Sequence, residues 1–304
     1  MFDPNQQIYP DRLPQIVTVC GVPVRADLVF ADGNGKDNAR QQKAAEKALA
    51  SLQNILPRLM GPNEVVLAVG FAQINITFFE RMFLGWAAYY LGRSCLVVTN
   101  RGLLRFRMRS KGLSGLAWDN GVQGIGWGDV AEAQAKGGLA ARLLVRFRNN
   151  QKESFLRLAP AFGKKVQTLA PLLLNANLGS ASGAMGMTAL CPKCLAPLAT
   201  GVYRCAQCGQ IFRDEKKLLW RTILIPGGEY FYARQAAFGI LQAIVELVIL
   251  VIALGMLVGG VAGGGDDPAA GIVGGIFIFL LYILHKWAAY IQCRRIVRTY
   301  LPAD

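Results

Sequence analysis

The chain has 304 residues, 53% of them hydrophobic, and a mean hydropathy of +0.32 that is high for a soluble protein, yet it carries a net charge of +14. That length leaves room for one or two modest soluble domains and a membrane hairpin. The sole histidine, His285, sits near the end of an apolar run, and neither a nucleophile motif nor a phosphate-binding loop is visible, so the composition argues against an enzyme. Gly121 to Gly128 is rich in glycine but lacks the Lys-Ser/Thr and the helix pattern of a P-loop.

Residues 1–60 begin without a basic, apolar leader, so no cleavable signal peptide is expected and the soluble part is expected in the cytoplasm. Ile16 to Phe30 alternates like a strand pair around Gly21-Val22-Pro23. Asn38 to Leu56 predicts an amphipathic helix with Ala45, Ala48, Leu49, Leu52, Ile55 and Leu56 on its apolar face. It reads as a layer on the next domain rather than a partner-binding helix. Asp32 to Asp37 has an acidic loop's look, but Lys36 and Asp37 stand where a calcium loop needs an oxygen ligand and a glycine, so calcium is rejected.

Residues 61–178 predict a small β domain closed by a helix. Candidate strands are Glu64–Ala72, Ser94–Thr99, Leu103–Arg109, Ile125–Trp127, Val130–Ala135, Leu143–Arg148 and Ser154–Leu158. Asn100-Arg101-Gly102 reads as a hairpin turn because Asn and Gly tolerate positive φ. Val166, Leu169, Ala170 and Leu173 fall at helical spacing after Pro160. The apolar stretch Phe78 to Leu91 interrupts the pattern; if helical it gathers Phe78, Met82, Phe83, Trp86 and Tyr90 on one face, expected to pack on the sheet or, less simply, to lie on a membrane. Arg105, Arg107 and Arg109 alternate with Leu104, Phe106 and Met108, and Arg146 and Arg148 flank Phe147. Period-2 alternation predicts a buried apolar face and a displayed basic one, a surface for anionic lipid or a protein partner.

Two segments, Cys95-Leu96-Val97-Val98-Thr99-Asn100-Arg101-Gly102-Leu103-Leu104 and Ile125-Gly126-Trp127-Gly128-Asp129-Val130, resemble the strand–turn–strand and the following step of bacterial pleckstrin-homology-like (PH-like) domains. The resemblance covers about 115 residues and rests on turns and core positions. It implies a seven-stranded barrel or sandwich with a C-terminal helix, and a module that binds lipid headgroups, peptides or proteins without catalysis.

Residues 179–187, rich in Gly, Ala and Ser, predict a flexible linker. Residues 188–214 carry Cys191-Pro192-Lys193-Cys194 and Cys205-Ala206-Gln207-Cys208. Two thiolates two residues apart grip one ion from one turn, and a second such turn completes a tetrahedron, so these four cysteines predict a structural Zn²⁺ site. The module is similar to a zinc ribbon, with Gly209 after the last ligand but Leu195 where glycine is usual. Tyr203 and Phe212 are candidate covers for the site. Cys20, Cys95 and Cys293 show no disulfide framework and read as small buried or interfacial residues.

Residues 215–235 predict an interfacial segment bent at Pro226-Gly227-Gly228, and residues 236–262 and 269–292 two transmembrane helices joined by an external turn at 263–268. Arginines and lysines flank the pair while the turn carries only Asp266 and Asp267, so both termini, including the tail 293–304, are expected in the cytoplasm of a bacterial inner membrane. Gly255 with Gly259, and Gly271 with Gly275, give small faces that suit packing inside the hairpin or homo-oligomerisation. Gln242 and Glu246 are polar positions inside the first span; an ion or proton path with His285 is one reading, and a protonated or paired glutamate that steadies the hairpin the favoured one. The chain is thus expected to be a multi-domain α+β membrane adaptor that binds a protein partner or anionic lipid. A nucleic-acid-binding zinc-ribbon protein and a subunit of a small channel or transporter are the alternatives.

Overall fold

The computed structural model describes residue 3 and residues 5–10, 12–75, 78–84, 91–110, 116–137, 141–176, 186–262 and 268–303. Residues 179–185 of the expected linker 179–187, residues 263–267 of the expected turn 263–268, Trp86 and Tyr90 lie outside the described residues. The chain divides into a sheet unit, Met1–Asn75 with Gly92–Gln210, and a helical unit, Ile76–Leu91 with Ile211–Asp304.

In the sheet unit, β1 (Ile16–Val19) and β2 (Val22–Arg25) form a hairpin whose two loop residues, Cys20 and Gly21, both have positive φ, which matches the twist of the flanking strands. The expected second strand stops at Arg25, and Ala26–Val29 turns instead into a short helix, α1. Asn38 starts α2 (Ala39–Ser51) by accepting the N–H groups of Arg40 and Gln41 on its side chain at 3.0 and 3.1 Å. A four-residue helix, α3 (Leu56–Leu59), follows.

All seven expected strands are present, as β3 (Val66–Ile74), β4 (Arg93–Thr99), β5 (Gly102–Ser110), β6 (Leu116–Gly126), β7 (Val130–Lys136), β8 (Ala141–Phe147) and β9 (Lys152–Leu158). They form an antiparallel order β6-β5-β4-β3-β9-β8-β7, and β2 adds a parallel bridge to β3. Helix α5 (Pro160–Asn175), which follows in chain order after α4 of the helical unit described below, buries Val166, Leu169, Ala170 and Leu173 as its spacing required. Leu67, Leu96, Val98 and Leu103 join α5 and β7–β9 in one apolar cluster. Val66, Cys95, Val97, Phe106 and Met108 join Leu49, Leu52, Ile55 and Leu56 of the N-terminal segment in a second. Strands β3–β5 are therefore covered on both faces, which is why 95–98 reads as an unbroken apolar run. The N-terminal helix is a layer on the sheet, and at roughly 1.5–3 kcal/mol for each large side chain buried it is integral to the unit.

Strand β6 is far longer than the expected Ile125–Trp127, because Asn120 and Gly121, which look like a turn, mark a bulge. Phe106 pairs with Val122 and Met108 with Trp118, so three residues on β6 face one on β5, and Asn120 absorbs the extra length at φ +58°. The hairpin at residues 100–101 is present for another reason than positive φ. Thr99 Oγ1 accepts the N–H groups of Arg101 and Gly102 and donates to Glu64 Oε1 at 2.6 Å, while Asn100 Oδ1 accepts Val65 N at 2.9 Å. Gly102 is needed there because a Cβ would stand 2.2 Å from Ile125 O.

The helical unit holds α4 (Phe78–Leu84), α6 (Glu215–Leu224), α7 (Gly228–Tyr232), α8 (Ala236–Val261) and α9 (Pro268–Val297). Helices α8 and α9 are long and apolar enough to cross a membrane, and most of their surface is unburied. A core helix of a soluble protein is equally apolar but covered; here Ile244, Leu247, Val251, Val273 and Phe277 point outward. The stretch expected to pack on the sheet belongs instead to this unit: α4 lies against α9, and its buried Glu80 pairs with Arg295 at 2.9 Å. The two flanks of the long hairpin meet, since Arg213 N donates to Leu301 O at 2.9 Å and Ala303 N to Ile211 O at 3.0 Å.

Candidate metal centre and buried charge clusters

The four expected cysteines come together, their sulfurs all within 4.8 Å of one another. Cys191 Sγ is 3.5 Å from Cys208 Sγ, and Cys194 Sγ is 3.5 Å from Cys205 Sγ. Four sulfurs about 2.3 Å from one tetrahedral ion stand about 3.8 Å apart, so the cluster is close to that size, and none of the cysteines is in a disulfide.

The two knuckles repeat each other in the backbone. Leu195 N donates to Cys191 O at 2.8 Å and Cys191 N to Ala196 O at 2.9 Å; Gly209 N donates to Cys205 O at 3.0 Å and Cys205 N to Gln210 O at 2.8 Å. Gly209 has φ +72° and Leu195, in the same place, +64°. Leucine in the left-handed region is strained by about 1–2 kcal/mol, and its packing against the second apolar cluster offsets that cost. Backbone N–H groups of Cys208 and Gln207 hold the Cys205 thiol down to about 7, while burial pushes the Cys191 thiol up to about 12.

The metal module is built into the sheet. Its first strand, β10 (Thr188–Leu190), pairs with β6, and β11 (Pro197–Leu198) pairs with β10. Arg58 reaches the first knuckle and donates to Lys193 O at 2.6 Å. The three-residue β10 thus borrows its partner from the long strand β6. Of the two proposed covers, Tyr203 is half-buried, whereas Phe212 packs edge-on against Tyr300 at 5.6 Å in the helical unit.

Two of the five arginines of the expected basic face are interior. Arg105 and Arg107 are only 7% and 5% exposed, because they share the parity of Leu103, whose face looks into the sheet, while the apolar residues between them lie under the N-terminal layer. Arg105 donates to Ser94 Oγ at 3.2 Å and to Gln123 Oε1 at 2.9 Å, and its guanidinium stands 5.9 Å from the Phe155 ring centre. Burial lowers its pKa, partly offset by Glu153; burial likewise raises the Glu153 carboxyl, which Arg105 pulls back. Arg107 pairs with Asp119 at 3.3 Å, the residue that the β6 bulge turns inward, and Arg109 stands 4.0 Å from the same carboxylate. Arg109 and Arg146 are each 43% exposed, Arg146 with Glu132 3.2 Å away, and Arg148 is exposed.

Gln242 and Glu246 sit in a second charge cluster, in the helical unit. Glu246, 1% exposed, accepts Lys286 Nζ at 2.8 Å, Gly227 N at 3.0 Å and Gln242 Nε2 at 2.9 Å. Lys286 also reaches Glu229 Oε2 and Ile225 O, both at 3.3 Å, and Gln242 contacts His285. Glu246 is thus paired, with Lys286 as its ionic partner. Its partner Lys286 was the missed residue, and the signal was present: a lysine in the facing run, beside His285, has no water to turn to except through a carboxylate. Gly271 and Gly275 pack inside the hairpin, where a Cβ on Gly271 would stand 3.1 Å from Gly260 Cα; Gly255 and Gly259 have open space beside them.

No protein-family model matches the chain, and no curated protein matches it in sequence.

Proposed function

We propose that the chain is a non-catalytic, membrane-anchored adaptor whose sheet unit is a PH-like module that engages an anionic lipid surface. The observation that carries this reading is the outer face of β8. Lys136 stands directly across from Arg142, and Arg146 across from Lys152, with Arg148 beside them and Glu132 the acid opposite Arg146; Glu153, across from buried Val145, has the opposite parity. Like charges opposed across strands cost stability, so a fold that keeps two such pairs gains from them elsewhere. Near an anionic leaflet each exposed basic residue adds about 1 kcal/mol of attraction, and a membrane tether makes that encounter intramolecular.

The PH-like reading is supported by the strand order, in which β3 pairs with both β4 and β9 and a helix follows the seventh strand. Zinc is the ion we assign to the four sulfurs, since an all-thiolate tetrahedron with no open position suits a structural Zn²⁺. A bacterial inner-membrane location with both termini cytoplasmic is supported by the clasp between residues 211–213 and 301–303, which keeps the hairpin's flanks together, and by the arginines near it.

The test uses the full chain in nanodiscs made with phosphatidylcholine alone or with added phosphatidylglycerol. Hydrogen exchange in β7–β9 is expected to slow only with the anionic lipid, and charge reversal at Lys136, Arg142 and Lys152 should abolish the difference. Equal exchange in both discs, with salt-sensitive RNA or DNA binding in its place, would replace this reading with nucleic-acid recognition.

A further inference from the structure

Between the sheet unit and the first spanning helix lies a segment whose exposed side chains are wrong for water. Helix α6 starts conventionally, with Asp214 accepting Lys217 N at 2.7 Å as its N-cap and Glu215 paired to Arg298 at 2.7 Å. Beyond Arg221 the exposed residues are Ile223, Leu224 and Ile225, followed after the bend by Phe231, and the one carboxylate in that stretch, Glu229, is fully buried. Leu224 is 70% exposed, the most open large apolar residue of the segment.

The geometry points to residues 214–232 being a re-entrant hairpin that dips into the lipid of one leaflet and returns. This rests on the reading of α8 and α9 as membrane-spanning. Three observations fix the path. The base is closed, because Asp214 N donates to Tyr232 Oη at 3.0 Å and the Arg213 guanidinium stacks 5.1 Å from the Tyr232 ring centre. The tip is docked, because Gly227 N donates to Glu246 and Lys286 donates to Ile225 O.

The level of the tip is fixed as well. Ten residues of α6 run about 15 Å, and the tip glycine packs beside Gly239 and Ala243, three and seven residues past Ala236 and so about 5–10 Å along α8. A tip docked at that level stands within the first two turns of the span, with its outward apolar residues continuous with Ile240, Leu241 and Ile244 of α8. Lipid hydrocarbon is the occupant that matches this surface: a water-facing loop would not expose Leu224 between two other bare aliphatic residues, and backbone at that depth is tolerable only because its polar groups are met by Glu246 and Lys286. Gly227 makes the docking possible. Its φ is +64°, and a Cβ there would stand 2.1 Å from Gly239 O.

The test places a photo-reactive benzoylphenylalanine at Leu224, or at Val251 in the middle of α8, in the full chain reconstituted in phosphatidylethanolamine/phosphatidylglycerol nanodiscs. Mass spectrometry then locates the lipid atoms that are captured. Acyl-chain adducts from both positions, in comparable yield, are the expected result. In a Gly227→Ala background the Leu224 yield should fall severalfold while the Val251 yield stays. Headgroup adducts or none at Leu224, with acyl adducts at Val251, would overturn the re-entrant hairpin and leave the spanning helices standing. Absence of acyl adducts at Val251 would overturn the membrane reading itself, and this inference with it.

Discussion

Two of the buried charge clusters in this molecule are held by different means. In the sheet unit, Arg107 of β5 meets Asp119 in the bulge of β6, and the next arginine of β5 on that side, Arg109, has a side chain already 43% exposed, so water stands nearby. In the helical unit, Lys286 is held by Glu246, Glu229 and a backbone carbonyl, and the surrounding exposed surface is aliphatic. The first pair is a local solution to an inward-pointing arginine. The second ties three separate segments together, so its loss should be felt along the whole unit. The difference teaches that what a buried ion contributes depends on how many segments share it and on what solvent stands behind them.

The sharpest way to break the comparison is to withhold the zinc proposed for the four sulfurs, which would touch neither cluster. Structural zinc sites tie up about 10–16 kcal/mol of apparent binding free energy, and chelation is expected to unfold β10, β11 and both knuckles. Hydrogen exchange should show β3–β5 still protected; collapse of those strands would mean that the sheet unit depends on the ion throughout. Next in size is Lys286→Met, which strands Glu229 and Glu246 and should cost about 3–5 kcal/mol, whereas Asp119→Asn should cost about 1–3 kcal/mol because water can relax around Arg107 and Arg109. Thermal unfolding in nanodiscs checks both. Adding Glu229→Gln and Glu246→Gln to Lys286→Met should recover much of the loss.

A pH titration sharpens the contrast on the sheet side. Lys165, whose Nζ donates to Val29 O at 2.8 Å, has its pKa lowered from 10.5 to about 8, first by burial, with Asp32 pulling the other way. Between about 8 and 10.5 the unfolded chain binds the extra proton, so stability should rise with pH across that window, and the full penalty of burying the charge is present below it. Lys165→Met should flatten that rise in a pH series of unfolding curves. The smallest effects belong to the two knuckles. Gly209→Ala, at a positive φ with nothing within 4 Å, should cost about 1 kcal/mol, while Leu195→Gly trades strain against packing and should stay within about 1 kcal/mol of the native chain. Competition with a chelator measures both.

Much of this was legible in the residues. Seven strands, the closing helix, the four sulfurs and the two long apolar helices follow from period, spacing and length, because each is a local property of the chain. What failed was information about neighbours. The alternation of Arg105, Arg107 and Arg109 with Leu104, Phe106 and Met108 states that two faces differ, and cannot state that an N-terminal helix covers the apolar one. Asn120-Gly121 signals positive φ in a bulge as readily as in a turn. Glu229 and Lys286 lie 57 residues apart, and only the folded hairpin makes one the reason for the other.

The pairing of β10 with β6 carries one more consequence. A long strand at the rim of a sheet offers its unpaired amides to any extended chain that passes, and in this protein the cover on that rim is β10, the strand that runs straight into the four-sulfur cluster. Starved of its ion, the protein would betray itself first by stickiness, with molecules adhering rim to rim, well before its core gave way.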